Sequence, residues 1–265
     1  MRGLTGIGEK SVEKRRINLQ TISRSIQLLH CFDEKPELGI SEIAQRLGIA
    51  KSTVYGIVST LENHNFLEQD SCTGRYRLGT EIFRLGTKVK SDLLNLVKPY
   101  MEKLVTDFSE TVHLVVPDQC SILYIHKIES PHSMRICSRV GERLPLYCTA
   151  VGKALLAQMG ETEQAAVIYQ TSFHPCTPYT IQDAAALARE LAKIRADGFA
   201  VDREELEIGL TCVAAPIYDG NGKPSAAISV AGPTVRMTHL AIETIARGLL
   251  GVTREISSRI GYLPR

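Results

Sequence analysis

The first group of residues that could do chemistry lies on one face of a short segment beginning at Lys51. Apolar residues recur there at positions 54, 57, 58 and 61, the spacing of a helix with one buried face. The other face has no carboxylate before Glu62, and it carries a positive charge, hydroxyls and an aromatic ring: Lys51, Ser52, Thr53, Tyr55, Ser59 and Thr60. Phosphates repel carboxylates, and base edges pair with short hydrogen-bonding groups. The segment therefore predicts a helix that binds the major groove of duplex DNA.

A second group lies at the start of a helix predicted over residues 149–158. Thr149 is suited to cap this helix, and an apolar loop over residues 144–148 leads into the cap. The free amides of Ala150 and Val151 would then point outward with the positive end of the helix dipole. Such a helix N-terminus is predicted to bind a carboxylate.

The third group is carried by a hairpin predicted over residues 210–232, around the turn Asp-Gly-Asn-Gly. That turn pairs Tyr218 with Lys223 and puts Cys212 directly opposite Ser229. Small and polar side chains on an otherwise buried face leave room and hydrogen-bonding groups for a small ligand. The same residue types also suit a tightly packed helix–sheet interface, so both interpretations stay open.

Two further residues near this hairpin could do chemistry. Asp202 ends an apolar strand and is the member of the charged run 202–207 expected to face inward, although such a run is usually a solvated turn. Cys212 could act as a nucleophile only with a base beside it, and the sequence offers no clear histidine partner. We predict no catalytic residue and keep an enzyme that uses Cys212 as the alternative.

The predicted DNA-binding helix must be held by the elements around it. A shorter helix over residues 40–47, capped by Ser41 and stopped by Gly48, precedes it and completes a helix-turn-helix. Ser41 is also counted among the residues that contact DNA. A first helix over residues 19–32 is expected to turn three apolar side chains inward: Ile22, Ile26 and Leu29.

A short hairpin follows the predicted DNA-binding helix. Strands over residues 66–69 and 75–78, joined by a turn that contains Gly74, predict the wing of a winged helix-turn-helix. Arg75 stands where a wing can reach phosphate or the minor groove. Two short amphipathic helices alone would suit any small helical domain, and the hairpin at the correct distance is what favours DNA binding.

Residues 80–96 predict a single linker helix, because apolar residues recur at positions 82, 85, 89, 93 and 96. The apolar stripe is expected to pack either against a second copy of itself or against the C-terminal part of the same chain. Pro99 predicts a break before a further helix over residues 100–110.

Beyond residue 110 the pattern predicts an α+β domain with an antiparallel sheet. The helix over residues 180–197 has Thr180 and Asp183 at capping-box spacing and Gly198 at its end. In addition to the hairpin, the predicted strands cover residues 111–116, 121–127, 134–139 and 199–202. The other predicted helices cover residues 149–158, 161–169 and 239–259.

Composition is that of an ordinary soluble protein, with 44% hydrophobic and 23% charged residues in a chain of 265. No stretch approaches the roughly 18 apolar residues of a membrane helix, so no membrane partner is expected. Residues 1–16 lack the apolar core of a secretory signal and are expected to form a disordered arm. Residues 1–79 contain 11 Lys and Arg against 9 Asp and Glu, whereas the remainder is balanced. The small positive excess therefore lies in the predicted DNA-binding part.

Seven cysteines without C-x-x-C spacing indicate free thiols in a reducing cytoplasm. His113 and His126 lie on separate predicted strands and could meet, but structural roles are expected for both. We predict no metal site and no cofactor.

Several stretches resemble the IclR family of bacterial transcription regulators, and the resemblance extends over residues 17–265. The stretches that carry it are residues 51–55, 73–79, 138–141, 149–154, 198–205, 212–217 and 228–233. Residues 124–128 and 145–147 are similar to the branch that includes the 2-keto-3-deoxygluconate regulator.

The resemblance implies a winged helix-turn-helix over residues 17–79, a linker helix over 80–96 and a GAF-like effector-binding domain over 97–265. It implies a cytoplasmic regulator, a repressor of a sugar-acid catabolic operon, that binds palindromic operators as a dimer or a dimer of dimers. The implied effector is a small carboxylate, in particular a sugar acid. The implied pocket combines the backbone of two helix residues, three polar side chains and an apolar wall: Ala150, Val151, Asp202, Cys212, Ser229, Ile136, Leu144 and Leu210.

Two positions depart from the family pattern. Gly56 stands where the family often has Arg, which removes a long side chain that could contact DNA and costs about 1 kcal/mol of helix propensity. Ala231 stands where some members have Ser, which removes a hydroxyl from the implied pocket. Two other functions remain open: a metabolite-modifying enzyme with the winged helix as a docking module, and an architectural DNA-binding protein whose second domain binds no ligand.

Overall fold

The computed structural model describes residues 19–88 and 91–263, and the expected disordered arm over residues 1–16 lies outside the described residues. The chain divides into two compact units, Met1–Ser91 and Asp92–Arg265. Each unit has its own hydrophobic core.

The first unit is built from four helices and a small hairpin within the described residues: α1 (Gln20–His30), α2 (Ile40–Leu47), α3 (Lys51–Asn63), β1 (Leu67–Gln69), β2 (Tyr76–Leu78) and α4 (Thr80–Gly86). Its core contains buried side chains from α1, α2, α3 and both strands, including Leu28, Ile43 and Val58. Leu38 bridges to Tyr76 of β2 and so ties the segment between α1 and α2 to the hairpin. The predicted winged helix-turn-helix is confirmed.

Two details of the first unit were predicted wrongly. Ile22 and Ile26 of α1 were expected to face inward, but they are 55% and 51% exposed, and Leu28 is the buried residue of this helix. Ser41 was expected to cap α2, but the cap residue is Gly39, whose backbone N–H donates to Glu42 Oε2 at 2.9 Å. The glutamate at the third helical position satisfies the helix start, so no serine cap is needed.

The single helix predicted over residues 80–96, with a break at Pro99, was also wrong. Helix α4 ends at Gly86, and helix α5 (Ser91–Phe108) continues through Pro99. A proline inside a helix removes a hydrogen bond and costs about 3 kcal/mol. Burial of Val97, Met101 and Leu104 in the second core offsets that cost.

The second unit contains a six-stranded antiparallel sheet in the order β5-β4-β3-β8-β7-β6. Its strands are β3 (Thr111–Asp118), β4 (Ser121–Ile128), β5 (Arg143–Pro145), β6 (Ala200–Arg203), β7 (Leu210–Tyr218) and β8 (Pro224–Pro233). Its remaining helices are α6 (Ala150–Gln158), α7 (Glu161–Gln170), α8 (Ala184–Asp197) and α9 (His239–Arg259). The α+β class is confirmed.

Each face of this sheet packs against a different pair of helices. Alternation along β8 sends Ala227 toward α6 and α8, and Ile228 and Val230 toward α5 and α9. From β7 and β8 the α6 side contains only small residues, among them Ala214 and Ala227, whereas the α9 side combines alanines with larger branched residues such as Ile217 and Ile228. Space for a ligand is therefore expected on the α6 side.

The predictions for the second unit needed three corrections. Residues 134–139 form no strand, and the unpredicted β5 pairs with β4 instead. Helix α8 starts after Asp183, whose side chain accepts from Ala186 N at 2.7 Å, so Thr180 does not cap it. The hydroxyl of Thr180 instead donates to Glu205 O at 2.6 Å.

The hairpin register is the third correction. Cys212 lies opposite Ala231, and Ser229 lies opposite Ala214. One residue of the difference arises at the turn, where Tyr218 pairs with Pro224 and not with Lys223, and the other at a bulge between Ile217 and Tyr218. The difference from the predicted register is two residues, which preserves the side of the sheet that each residue faces. Cys212 and Ser229 therefore still share one face, as predicted.

Candidate functional site

The DNA-facing side chains predicted for α3 lie on its accessible side. Tyr55 is 60% exposed, Lys51 and Ser52 are exposed, and Thr53 and Ser59 are partly exposed. The opposite side of α3 is buried in the core through Val54, Ile57 and Val58. The helix therefore presents hydroxyls, a phenol and an ammonium group to solvent, as the periodicity predicted.

The two other candidate DNA contacts have different surroundings. Ser41 is exposed in the first turn of α2. Arg75, at the start of the wing's second strand, is held within the unit: its guanidinium pairs with Glu42 and donates to Glu37 O at 3.1 Å. Hydrogen bonds from Lys35 and Gly39 lower the pKa of the Glu42 carboxyl to about 2. The structure therefore ties Arg75 to α2.

A cavity of about 270 Å³ lies in the second unit between the six-stranded sheet and the start of α6, and every strand of the sheet contributes to its lining. All eight residues predicted for an effector pocket line it: Ile136, Leu144, Ala150, Val151, Asp202, Leu210, Cys212 and Ser229. The structure thus brings together residues that are spread over nearly one hundred positions of the sequence.

The start of α6 opens onto this cavity. Thr149 caps the helix, as predicted, and its Oγ1 accepts from Gly152 N at 3.1 Å. The amides of Ala150 and Val151 have no acceptor within the helix, because they belong to its first turn. A Cβ on Gly152 would lie 2.3 Å from Leu146 O, so only glycine allows the loop to approach the helix so closely.

The sheet floor of the cavity is made by small residues. On β7 and β8, Ala214 and Ala227 pack in the core against α6, and farther along the same face Cys212, Ser229 and Ala231 line the cavity. The helix–sheet packing and the ligand space, which the sequence left as alternatives, are therefore both present on one face.

Sequence reasoning missed part of the lining: His113, Tyr124, Cys137, Ser138, Glu142, Leu206 and Glu207. His113 lies opposite Ser229 in the β3–β8 pairing, and its Nε2 lies 2.7 Å from Ser138 Oγ. Its ring meets Tyr124 edge to face at 5.0 Å between centroids. The sequence feature that could have revealed His113 is that it is a polar residue between the apolar side chains of β3.

Burial lowers the pKa of His113 to about 4, with a smaller contribution from the Lys127 ammonium. The imidazole is therefore neutral at physiological pH. Lys127 itself donates to Ser138 O at 2.6 Å. That bond and the His113–Ser138 contact tie the segment where a strand was predicted to β3 and β4.

Asp202 is buried at the floor of the cavity, beside an ion pair. Its Oδ1 accepts from Glu205 N at 2.7 Å. Lys153 of α6, fully buried, donates to the Glu205 carboxylate and to Val201 O at 2.8 Å. Burial, and next the charge of Glu205, raise the pKa of Asp202 to about 7. Asp202 thus faces inward, as expected, and Glu205 of the same charged run is buried with it.

Neither the proposed nucleophile nor a metal site is supported by these surroundings. Burial, and next the negative charge of Asp202, raise the pKa of the Cys212 thiol, so it stays protonated and weakly nucleophilic. His113 and His126 pair with Lys127 and Leu114 respectively, which places the two rings on opposite sides of the sheet. Among residues 19–88 and 91–263 there is no cluster of three His, Cys, Asp or Glu that could hold a metal ion.

A winged helix-turn-helix with an exposed polar helix face, followed by a domain with a cavity of small-molecule size, is an architecture that suits a DNA-binding regulator, although a fold alone does not define a function. The family matches agree. Residues 21–71 match the IclR helix-turn-helix domain, and residues 87–258 match the bacterial transcriptional regulator IclR C-terminal domain. The chain belongs to the IclR family of bacterial transcriptional regulators.

Individual relatives match over most of the chain. It is 33% identical to the HTH-type transcriptional regulator KdgR of Escherichia coli K12, over 95% of this chain and 96% of that protein. It is 31% identical to the HTH-type transcriptional repressor AllR of the same strain, over 98% and 96%. The crystal structure of Thermotoga maritima IclR matches with a TM-score of 0.76 at 33% identity, covering 91% of this chain and 99% of that one.

The chain is therefore a DNA-binding transcriptional regulator and not an enzyme, and the alternative that used Cys212 in catalysis is not favoured. Within the part of the chain that the structure describes, no helix is long and apolar enough to cross a membrane.

Proposed function

We propose that this protein is a cytoplasmic repressor of a sugar-acid catabolic operon, released from or fixed on its operator by a small carboxylate effector. The observation that carries the effector part is the capped N-terminus of α6, which opens onto a cavity lined by Ser229, Asp202 and His113. A helix N-terminus offers backbone donors and a positive dipole end to a carboxylate. The surrounding hydroxyl, carboxyl and imidazole groups suit the several hydroxyls of a sugar acid.

For the DNA complex, we assign α3 to the major groove, with Lys51, Ser52, Thr53, Tyr55 and Ser59 toward the DNA. The exposed start of α2 at Ser41 suits a phosphate contact. Arg75 fixes the wing against α2 through its Nη2 nitrogen, and we assign the other N–H groups of its guanidinium to a phosphate contact.

We propose a homodimer, or a dimer of dimers, on a palindromic operator. Helix α1 exposes apolar residues at helical spacing, with Ile22 and Ile26 more than half exposed beside Leu19. Phe83 of α4 is 77% exposed. Apolar faces of this kind on a DNA-binding unit suit a two-fold contact, which matches the symmetry of a palindrome. An Ile22→Glu, Ile26→Glu variant should sediment as a smaller species than the wild type.

The DNA part is tested by incubating the protein with fragmented source-genome DNA at near-physiological salt and sequencing the fragments that stay bound. Nonspecific binding falls steeply with salt, so such salt favours specific complexes. Enrichment of a few palindromic sites is expected, and the neighbouring genes would name the pathway. No enrichment, with and without carboxylates, would contradict the proposal.

The effector part is tested by thermal unfolding in the presence of 2-keto-3-deoxygluconate, gluconate and pyruvate. A ligand that binds only the folded state must raise the melting temperature. We expect the largest shift for a sugar acid. No shift with any of these carboxylates would favour a second domain that binds no carboxylate effector.

A further inference from the structure

The charge of the cavity lining is unusual for a site proposed to hold an anion. Among the described residues that line it, none is Lys or Arg, and three carry carboxyl groups: Glu142, Asp202 and Glu207. His113, the one imidazole in the lining, is too buried to hold a proton at physiological pH. The start of α6 is then the principal positive feature that a carboxylate would meet.

The three carboxyl groups differ in their access to water. Glu142 and Glu207 are exposed at the rim, and Glu142 already accepts a hydrogen bond from Arg139 N at 3.2 Å. Asp202 is only 1% exposed at the floor. Hydration screens the rim charges from a bound anion, whereas it cannot screen an ionised Asp202.

The groups around Asp202 do not supply the missing positive charge. Lys153 of α6 faces Asp202, but its ammonium already donates to the Glu205 carboxylate and to Val201 O. A third acceptor, Glu190 Oε1 of α8, lies 3.9 Å from Lys153 Nζ. The other titratable groups that face Asp202 add no positive charge: Tyr124 from β4, Cys212 from β7, Cys148 before α6, and Glu205 and Glu207 after β6. An anion and an ionised Asp202 would therefore repel each other across the cavity.

We propose that effector binding takes up one proton at Asp202, and that the resulting carboxylic acid donates a hydrogen bond to the effector. The inference rests on the proposed function, namely a carboxylate effector in this cavity. The balance is one protein, one effector anion and one solvent proton on one side, and the protonated complex on the other. Asp202 thereby selects for an anionic effector that places a hydrogen-bond acceptor next to the Asp202 carboxyl.

The proposal has a defined pH dependence. Free Asp202 is mostly protonated at pH 6 and mostly ionised at pH 8, because its pKa lies at about 7. If only the protonated form binds the effector, the affinity falls about tenfold for each pH unit above that value. Sugar acids stay ionised throughout this range, so the effector itself contributes no change.

The test is isothermal titration calorimetry of the full chain with 2-keto-3-deoxygluconate, and with gluconate and pyruvate, at pH 6 and pH 8. Each titration is repeated in two buffers that differ in ionisation enthalpy, which measures the protons taken up. We expect uptake close to one proton at pH 8, little uptake at pH 6, and about tenfold weaker binding at pH 8. Binding at pH 8 without proton uptake would overturn the inference and leave the proposed function standing.

Two variants assign the proton to a residue. Asp202→Asn keeps a donor at the same place but cannot titrate, so its affinity should be nearly independent of pH and close to the wild-type value at pH 6. Asp107→Asn, the same change at an exposed position of α5 outside the cavity lining, should keep the wild-type pH dependence. An Asp202→Asn variant with the full wild-type slope would overturn the assignment. If none of the three carboxylates binds at either pH, the proposed effector class and this inference both fail.

Discussion

The exposed face of α3 and the cavity of the second unit are both candidate binding sites, but they are built in opposite ways. One helix of 13 residues carries most of the candidate DNA-facing side chains. The cavity needs all six strands of the sheet, a helix start and two loops, with Ile136 and Ser229 on elements far apart in sequence. A surface site follows from the periodicity of one element, whereas a cavity follows from how several elements pair.

The two sites also differ in charge. The face of α3 carries Lys51 and no carboxylate among its first turns, as binding to phosphate requires. The cavity lining carries three carboxyl groups. Charge and exposed donors would hold the phosphates of DNA at the first site, whereas an anion in the cavity would meet helix amides and carboxyl groups.

The largest effect is expected from Lys153→Met, which should destabilise the second unit and leave the first folded. The change leaves Glu205 buried without its cation, and breaking a buried pair in this way costs about 3–5 kcal/mol. Urea unfolding followed by circular dichroism should show the loss. Lys193→Met, which removes an exposed lysine of α8, should change stability by less than about 1 kcal/mol. Equal losses in both variants would contradict a structural role for the buried pair.

The next effect concerns the exposed site alone. Combining Thr53→Ala with Tyr55→Ala should weaken specific operator binding about 100-fold or more, because each base contact contributes about 1–3 kcal/mol. Fluorescence anisotropy with the enriched operator measures the loss, and circular dichroism should show an unchanged fold. Ser25→Ala is the control, since this hydroxyl on α1 already donates to Thr21 O. Unchanged affinity in the double variant would remove α3 from the DNA interface.

Asp202→Asn should stabilise the ligand-free protein at pH 8 but not at pH 4. The pKa of this carboxyl is about 7 in the folded state, against an ordinary value of 3.8, so folding favours its protonated form. The stabilisation of the folded state by protonated Asp202 is fully present below about pH 4. It is lost as the pH rises through 7, so the free energy of unfolding falls over this range, and above it the carboxylate causes no further change. Melting temperatures at the two pH values measure it. A variant that melts no higher than wild type at pH 8 would contradict the raised pKa.

Much of the fold could be predicted because hydrophobic spacing and caps are local properties. Helix α6 with its Thr149 cap, strands β3 and β7, and the wing all followed from nearby residues. The errors arose where a contact between residues far apart in sequence determines the local secondary structure. Burial of Val97 and Met101 carries α5 through Pro99, and Ser138 turns toward His113 instead of extending a strand.

The cavity was predicted in part for the same reason. Cys212 and Ser229 were placed on one face correctly even with the wrong register, since a two-residue shift preserves the face. His113 was missed because β3 and β8 pair across more than one hundred residues. Ile136, Leu144 and Leu210 came from the family resemblance alone, since nothing in their own types points to a pocket.

Ser229→Ala should reduce the effector response without changing operator affinity in the absence of effector. The hydroxyl lies on the cavity floor beside His113, and a net hydrogen bond contributes about 0.5–1.5 kcal/mol, or roughly 2- to 12-fold in affinity. The reduced response is measured as an increase in the effector concentration at the midpoint of the change in operator binding. Ser225→Ala, on the same strand but outside the cavity lining, should respond as wild type does. A normal response in Ser229→Ala would exclude this hydroxyl from the site.

The smallest effect tests whether Gly56 lowers the stability of α3 in a way that favours DNA binding. Gly56 lies in the middle of α3, and a Cβ there would meet no atom within 4 Å. Gly56→Ala should therefore stabilise the first unit by about 0.5–1 kcal/mol, measured by urea unfolding. Gly251→Ala in α9, where a Cβ also meets no atom, is the matched control in the second unit. If Gly56→Ala stabilises the fold and weakens operator binding while Gly251→Ala only stabilises, then the glycine leaves room for close approach of DNA to α3. Unchanged operator binding in both variants would mean that DNA binding does not depend on the absence of a side chain at position 56.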